Sequence, residues 1–353
     1  MKSRRALTAI AALTALGLTA SACSTVGEQS TDSSGDKSVV LATHDSFVLP
    51  KALKQKFEKE SGYDLVVRAN GDAGTLTNKL VLTKDDPIGD VAFGVDNTFA
   101  SRALDAGVFA PYSFHEPAGV SDYALPGDTQ HRLTPVDNGN VCVNVDDTWF
   151  AAHHLAPPKN LADLTDPAYK NLFVLPGAAT SSTGMAFLLA TIAAYGDGWK
   201  SYWTKLMDNG AELTSGWEDA YEVDFTQGGG KGDRPIVLSY DSSPAFTVPK
   251  GSKTSTTSAL LDTCFEQVEY VGVLSGAANV AGAEAFVRFM DSPEVQAALP
   301  ESMYVFPDAR GVKLPTQWAK FAVQPTRPYA VDPADIAAHR DEWLRDWSDI
   351  TSR

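Results

Sequence analysis

The stretch Leu238-Ser-Tyr-Asp-Ser-Ser-Pro-Ala-Phe246 sets two aromatic rings, a carboxylate and three hydroxyls directly after the apolar run 235–238. Such a run reads as a buried strand, and Pro244 stops it. These residue types serve either catalysis or the holding of a flat, charged ligand. Catalysis needs a nucleophile poised against its base. There is no Gly-x-Ser-x-Gly elbow and no His-Glu-x-x-His. His44-Asp45-Ser46 supplies the three residue types of a hydrolytic triad, yet neighbours in sequence seldom approach one another from the directions those roles need. His115-Glu116 has no second histidine one turn on. His153-His154 would point apart on a helix and read as a surface pair. Gly228-Gly-Gly-Lys-Gly232 lacks the spacing and the Ser/Thr of a phosphate loop, so it reads as a flexible loop. No residue is assigned to catalysis, and no cofactor is expected.

Binding has better candidates. His44-Asp-Ser-Phe47, Thr180-Ser-Ser-Thr-Gly184, Gly216-Trp-Glu-Asp-Ala-Tyr221, Ser239–Phe246 and Met303-Tyr-Val-Phe-Pro307 each mix aromatic and polar side chains. Any one of these aromatics, taken singly, is more often core than ligand stacker. What matters is which elements carry them. Residues 38–43, 64–68 and 89–94 read as strands, separated by helices over 50–61 and about 75–83. That alternation argues for a parallel sheet, whose ligands gather beyond the carboxyl ends of the strands. His44-Asp-Ser46, Asn70-Gly-Asp72 and Asp96-Asn97 fall at those ends. Further strands are expected at 141–145, 172–175, 236–239 and 268–274, and helices at 184–195, 282–290 and 333–348. The reading is an α/β chain of two lobes, the second inserted in the first. Lobe 1 takes 38–140 plus 271–353 and lobe 2 takes 141–270, with 141–145 and 267–273 as crossing strands.

Lys2, Arg4 and Arg5 precede a short apolar segment and then Ala20-Ser-Ala-Cys23, the pattern of an export leader over 1–22. Cys23 resembles the acylated first residue of a lipoprotein, with 23–37 as a flexible tether. The expected place is outside the cytoplasm, anchored to the cell membrane by lipid. Removing 1–22 takes away three of the 29 basic residues and none of the 44 acidic ones, which moves the formal charge from −15 to −18. Such a surface repels nucleic acid and weakly attracts small cations. Hydrophobic residues at 44% with charged ones at 21% fit a folded chain long enough for two cores. Cys142 and Cys264 remain. In an exported protein two leftover cysteines pair more often than not, the alternative being two buried thiols, and a bridge would tie the crossing strands together. No two cysteines have metal-ligand spacing, and no metal is expected.

The segments taken in order resemble the periplasmic thiamine-binding proteins of thiamine ABC transporters. The resemblance runs from about residue 39 to 353. It includes His44-Asp-Ser-Phe47, Gly94-Val-Asp-Asn97, Thr180–Gly184, Gly216-Trp-x-x-Ala-Tyr221, Leu238-Ser-Tyr-x-x-Ser-Pro-Ala-Phe246, Gln267-Val-Glu269 and Phe289-Met-x-Ser-Pro293. It implies a type II periplasmic-binding-protein fold, each lobe a mostly parallel sheet flanked by helices, with two crossing strands as hinge. It also implies a monomer that hands thiamine or a thiamine phosphate to an ABC permease and its ATPase subunits. Carried over position by position, the ligand residues are His44, Asp72, Ser181, Trp217, Tyr240, Phe246 and Tyr304. His44 and Phe246 stand where the family has tyrosine, and Tyr304 where it has tryptophan. Aromatic faces attract a thiazolium cation, and Asp72 adds a carboxylate. The alternatives are a binder of ferric iron, a polyamine or another organic cation, and an exported enzyme processing thiamine phosphates.

Overall fold

The computed structural model describes residues 37–353. The leader, Cys23 and the tether as far as residue 36 lie outside the described residues. The chain opens with β1 (Ser38–Thr43), α1 (Lys51–Ser61), β2 (Asp64–Ala69), α2 (Ala73–Leu82), β3 (Val91–Asp96) and α3 (Ala100–Asp105). A long strand β4 (Thr134–Asp146) leads to α4 (Asp147–Ala152), β5 (Phe173–Pro176), α5 (Ser182–Tyr195), α6 (Trp199–Asp208) and β6 (Glu212–Thr214). Then come β7 (Ile236–Tyr240), β8 (Thr257–Ala259) and β9 (Phe265–Val273). The chain closes with α7 (Val280–Met290), α8 (Pro293–Met303), β10 (Phe306–Pro307), α9 (Thr316–Phe321) and α10 (Pro333–Thr351).

The strands hydrogen-bond in the order β2-β1-β3-β9-β4-β7-β5-β6, with β8 and β10 both on β4. β1 is parallel to β2 and β3, and β5 is parallel to β6 and β7. Between these two parallel groups run β9 and β4, antiparallel to each other and to the strands beside them. The fold is therefore two-lobed, with β4 and β9 crossing from one group to the other. Cys142 on β4 and Cys264 just before β9 form a disulfide with Cα atoms 4.2 Å apart, so the expected bridge does tie the crossings.

Each parallel group has its own apolar packing. Val39, Leu41 and Phe93 meet Phe57 of α1 and Phe286 of α7. On the other side, Phe187 of α5 lies edge-on to Trp203 of α6, which in turn meets Trp347 of α10. Residues 182–190 of α5 are buried without interruption, so this helix has no polar face and runs through the core. Full burial of each such large side chain contributes about 1.5–3 kcal/mol.

Element positions differ from the sequence reading mainly at the ends. The first crossing strand begins at Thr134 rather than 141, because Asp137, Asn138 and Asn140 are buried strand residues despite their polarity. The helix expected from about residue 75 begins at Ala73, since Asp72 caps it by accepting from the Ala73 N–H. The helix expected from 184 begins at Ser182, after an extended Ser181. In the Gly228–Gly232 loop Gly229, Gly230 and Lys231 are exposed, while a Cβ at Gly228 would stand 1.7 Å from the Tyr221 carbonyl oxygen.

Candidate functional site

The ends of β1, β2 and β7 and the start of α5 converge on one cleft. His44, Asp72, Trp217 and Tyr240 line its inner cavity, together with Glu269 and Thr183. Trp217 forms the wall. Its indole N–H donates to the Ser239 hydroxyl at 2.9 Å, and its backbone N–H donates across the cleft to Asp72 at 2.8 Å. Tyr221 stacks behind it at 5.0 Å between ring centroids. Tyr240 tilts toward Trp217 at 6.2 Å and donates its hydroxyl to Gln267 at 3.3 Å. Two rings are thus locked from behind and present their free edges and faces to the cavity.

Ser181 is buried at the start of α5, its hydroxyl 3.0 Å from that of Thr183, and Ser182 and Thr183 face the cavity in its stead. Tyr304 ends α8 in a left-handed conformation (φ 66°) and leans on Trp217 at 6.0 Å. Met303 and Val305 on either side of it reach the cavity. Phe246 lies behind Tyr304, 3.6 Å between centroids, and edge-on to Trp318, outside the cavity lining. Of the seven residues expected from the sequence, four line the cavity and three support its margins.

The loop after β1 does not assemble a triad. Ser46 lies 3.4 Å from His44 Nδ1, and Asp45 accepts from the Gly71 N–H instead of meeting the imidazole. His44 Nε2 points the other way, 3.4 Å from Glu269. This geometry needs Gly94: at φ +98°, a Cβ there would stand 2.0 Å from His44 Cδ2. His153 is exposed and stacked on Trp149, apart from the cleft. Among the described residues no three His, Cys, Asp or Glu side chains stand close enough to hold a metal ion.

The family described as bacterial extracellular solute-binding protein matches residues 86–325. The chain belongs to that family. This solute-binding protein is 31% identical over 326 residues to the thiamine-binding periplasmic protein of Brucella melitensis, covering 89% of this chain and 92% of that one. The protein of the same description from Escherichia coli is 28% identical over 323 residues, covering 89% and 94%. Among solved structures, a periplasmic thiamin binding protein superposes with a TM-score of 0.77 at 27% identity, covering 90% of this chain and 96% of that one. Iron-bound HitA from Pseudomonas aeruginosa shares the fold, with a TM-score of 0.69 at 19% identity. The two-lobed architecture is thus that of the type II periplasmic binding proteins.

In this solute-binding protein the cleft is electronegative. An outer cavity of about 160 Å³ adjoins the inner one, sharing Ser46, Asp72 and Trp217, and carries Asp45, Glu218 and Asp219 at its rim. No lysine or arginine lines either cavity. Burial pushes the Asp72 carboxyl above its ordinary range, against the N–H donors of Trp217 and Ala73 that favour its charged form. Burial likewise keeps the Tyr240 phenol neutral. His44 is raised: burial alone would lower it, and Glu269, then Asp72 and Asp45, outweigh that. The inner cavity measures about 30 Å³, room for one water molecule or so. Ligand sites usually measure about 300–1,000 Å³, so a drug-sized molecule enters only if the cleft widens. Sequence reasoning missed Glu269 as a cavity residue. Its place in Gln267-Val-Glu269, a polar alternation leading into the apolar half of β9, was the available signal.

Proposed function

We propose that this solute-binding protein captures thiamine between its lobes and delivers it to an ABC permease. The observation that carries the reading is the combination in one cleft of a rigid aromatic wall, Trp217 with Tyr240, and carboxylates with no lysine or arginine among them. A flat, permanently positive heterocycle suits such a surface, since aromatic faces attract a cation by about 0.5–2 kcal/mol each. The descriptions of the relatives point to the same ligand. In this reading His44, Asp72, Ser181, Trp217, Tyr240, Phe246 and Tyr304 form the binding set, the last two bracing the wall from behind. Lobe 1 comprises 38–140 plus 271–353 and lobe 2 comprises 141–270. The lobes separate about β4 and β9 to admit the ligand and close over it. The protein carries out no chemistry on its ligand, and Cys23, the acylated first residue of the mature chain, holds it at the membrane outside the cytoplasm.

Calorimetric titration with thiamine, its mono- and diphosphates, spermidine and ferric ion tests the ligand. Thiamine, with or without phosphate, is expected to bind below micromolar concentration, and Trp217→Ala to weaken that by at least tenfold. Tight binding of spermidine or ferric ion with silence toward every thiamine form would refute the assignment. Turnover of a thiamine phosphate would refute the binding-only role.

A further inference from the structure

The ligand reading takes His44 as a contact residue but leaves its pairing with Glu269 unused. Their side chains approach to 3.4 Å, and the two residues are 7% and 6% exposed. Both line the inner cavity. Glu269 also occupies the middle of a row of carboxylates across the crossing strands: its register partners are Asp96 on β3 and Asp137 on β9's other neighbour, β4. Asp137 is fully buried, and Asp96 holds the N–H groups of Thr98 and Phe99 through one oxygen. A buried carboxylate in such company is costly unless a positive charge stands beside it.

Among the residues lining either cavity, His44 alone has a side chain that can take up a positive charge. Everything that faces it is acidic or neutral. Asp45 lies on its own loop, Asp72 at the start of α2, Glu269 on β9, and Glu218 beyond Trp217. Asp96 and Asp137 stand behind Glu269, and Tyr240 on β7 stays a neutral phenol. The imidazole is fixed in place by the Gly94 gap and by Phe93, 5.6 Å away. Its proton is thus held by the same negative field that would attract a ligand cation.

We propose that Glu269 is the carboxylate that receives the ligand's cationic ring, and that His44 fills that place until the ligand arrives, so that capture expels one proton to solvent. This rests on the reading of the cleft as a site for thiamine. The exchange balances: one positive charge enters, one leaves, and the buried acids keep a single counter-charge throughout. Two cations sharing the small cavity would repel, and only the imidazolium can give up its charge. The sign follows. Where His44 is protonated, binding must displace its proton, so affinity rises with pH by up to about tenfold per unit. Above the raised His44 pKa the imidazole is already neutral, and affinity levels off.

Calorimetry of thiamine binding to the intact protein, between pH 5.5 and 8.5 in buffers of different ionisation enthalpy, reads the proton count directly and needs no variant. The expected result is close to one proton released per thiamine at the acid end, fading toward the alkaline end as affinity levels. His44→Gln should abolish the release and flatten the pH profile of whatever thiamine affinity that variant keeps, and undiminished release in it overturns the inference. Glu269→Gln should weaken thiamine at least tenfold and leave unchanged an uncharged isostere with carbon in place of the quaternary nitrogen. Tight thiamine binding with no proton released at any pH overturns this inference alone. Equal weakening of thiamine and the isostere by Glu269→Gln also overturns it. Failure of thiamine to bind at any pH overturns the reading of the cleft and this inference with it.

Discussion

At the scale of single residues, the cleft is a set of side chains whose freedom has been removed before any ligand arrives. Trp217 is held by Ser239, Asp72 and the stacked Tyr221, so little rotamer entropy remains for binding to remove. Gly94 shows how close the tolerances run. Gly94→Ala would force a Cβ into the His44 ring at a backbone angle that L residues rarely adopt. We expect a loss of about 1–3 kcal/mol in denaturant unfolding, with weaker ligand binding because His44 must move. An unchanged midpoint would mean that the loop gives way freely. Most of the aromatic and acidic members of the site were legible as residue types, since Trp217, Tyr240 and Asp72 sit where strands and turns end. Glu269 was not. A carboxylate in a strand reads as solvent-facing, as Glu266 of the same strand is, and only the crossing of β9 between β3 and β4 turns Glu269 toward the cavity.

Among the elements, β4 and β9 carry the most consequence, because the lobes meet through them. The disulfide joins them at Cys142 and Cys264, closing a loop across a sequence separation of 122. Replacing both cysteines by alanine is expected to cost about 2–5 kcal/mol of stability, read as a lowered melting temperature, with ligand affinity little changed because neither sulfur faces the cleft. Loss of binding in the folded variant would show that the bridge sets the geometry of the crossing. The sequence reading found β9 nearly whole and only the apolar half of β4. Thr134 to Asn140 alternate with no apolar period, since their polar side chains pair inside the fold: Asn138 donates to Asp308, and Asn140 to Asp241. Hydrophobic pattern cannot mark a strand whose burial is paid in hydrogen bonds. The pairing of the cysteines was legible, because an exported chain with two of them far apart in sequence leaves few other fates.

For the whole molecule, buried acid is the recurring cost. Burial pushes the carboxyls of Asp291 and Asp308 up to about 8 and that of Asp96 to about 7. Each is raised in the folded state, so the native protein holds protons that the unfolded chain has released. Stability therefore falls as pH rises from about 4 toward 8, by up to about 1.4 kcal/mol per pH unit for each group, and levels off beyond. Asp291, whose two oxygens have no hydrogen-bond partner, offers the cleanest test. Asp291→Asn should raise the melting temperature at pH 8 and change it little at pH 5, where the native carboxyl is already neutral. A uniform shift at both values would contradict the assignment.

The central claim, that the cleft between the lobes is the ligand site, is tested most directly by diffraction from crystals grown with thiamine. Density for the ligand is expected against the faces of Trp217 and Tyr240, its cationic ring toward Glu269 and Asp72, in a cavity wider than about 30 Å³. Thiamine bound anywhere else on the molecule, with Trp217 and Glu269 untouched, would contradict it.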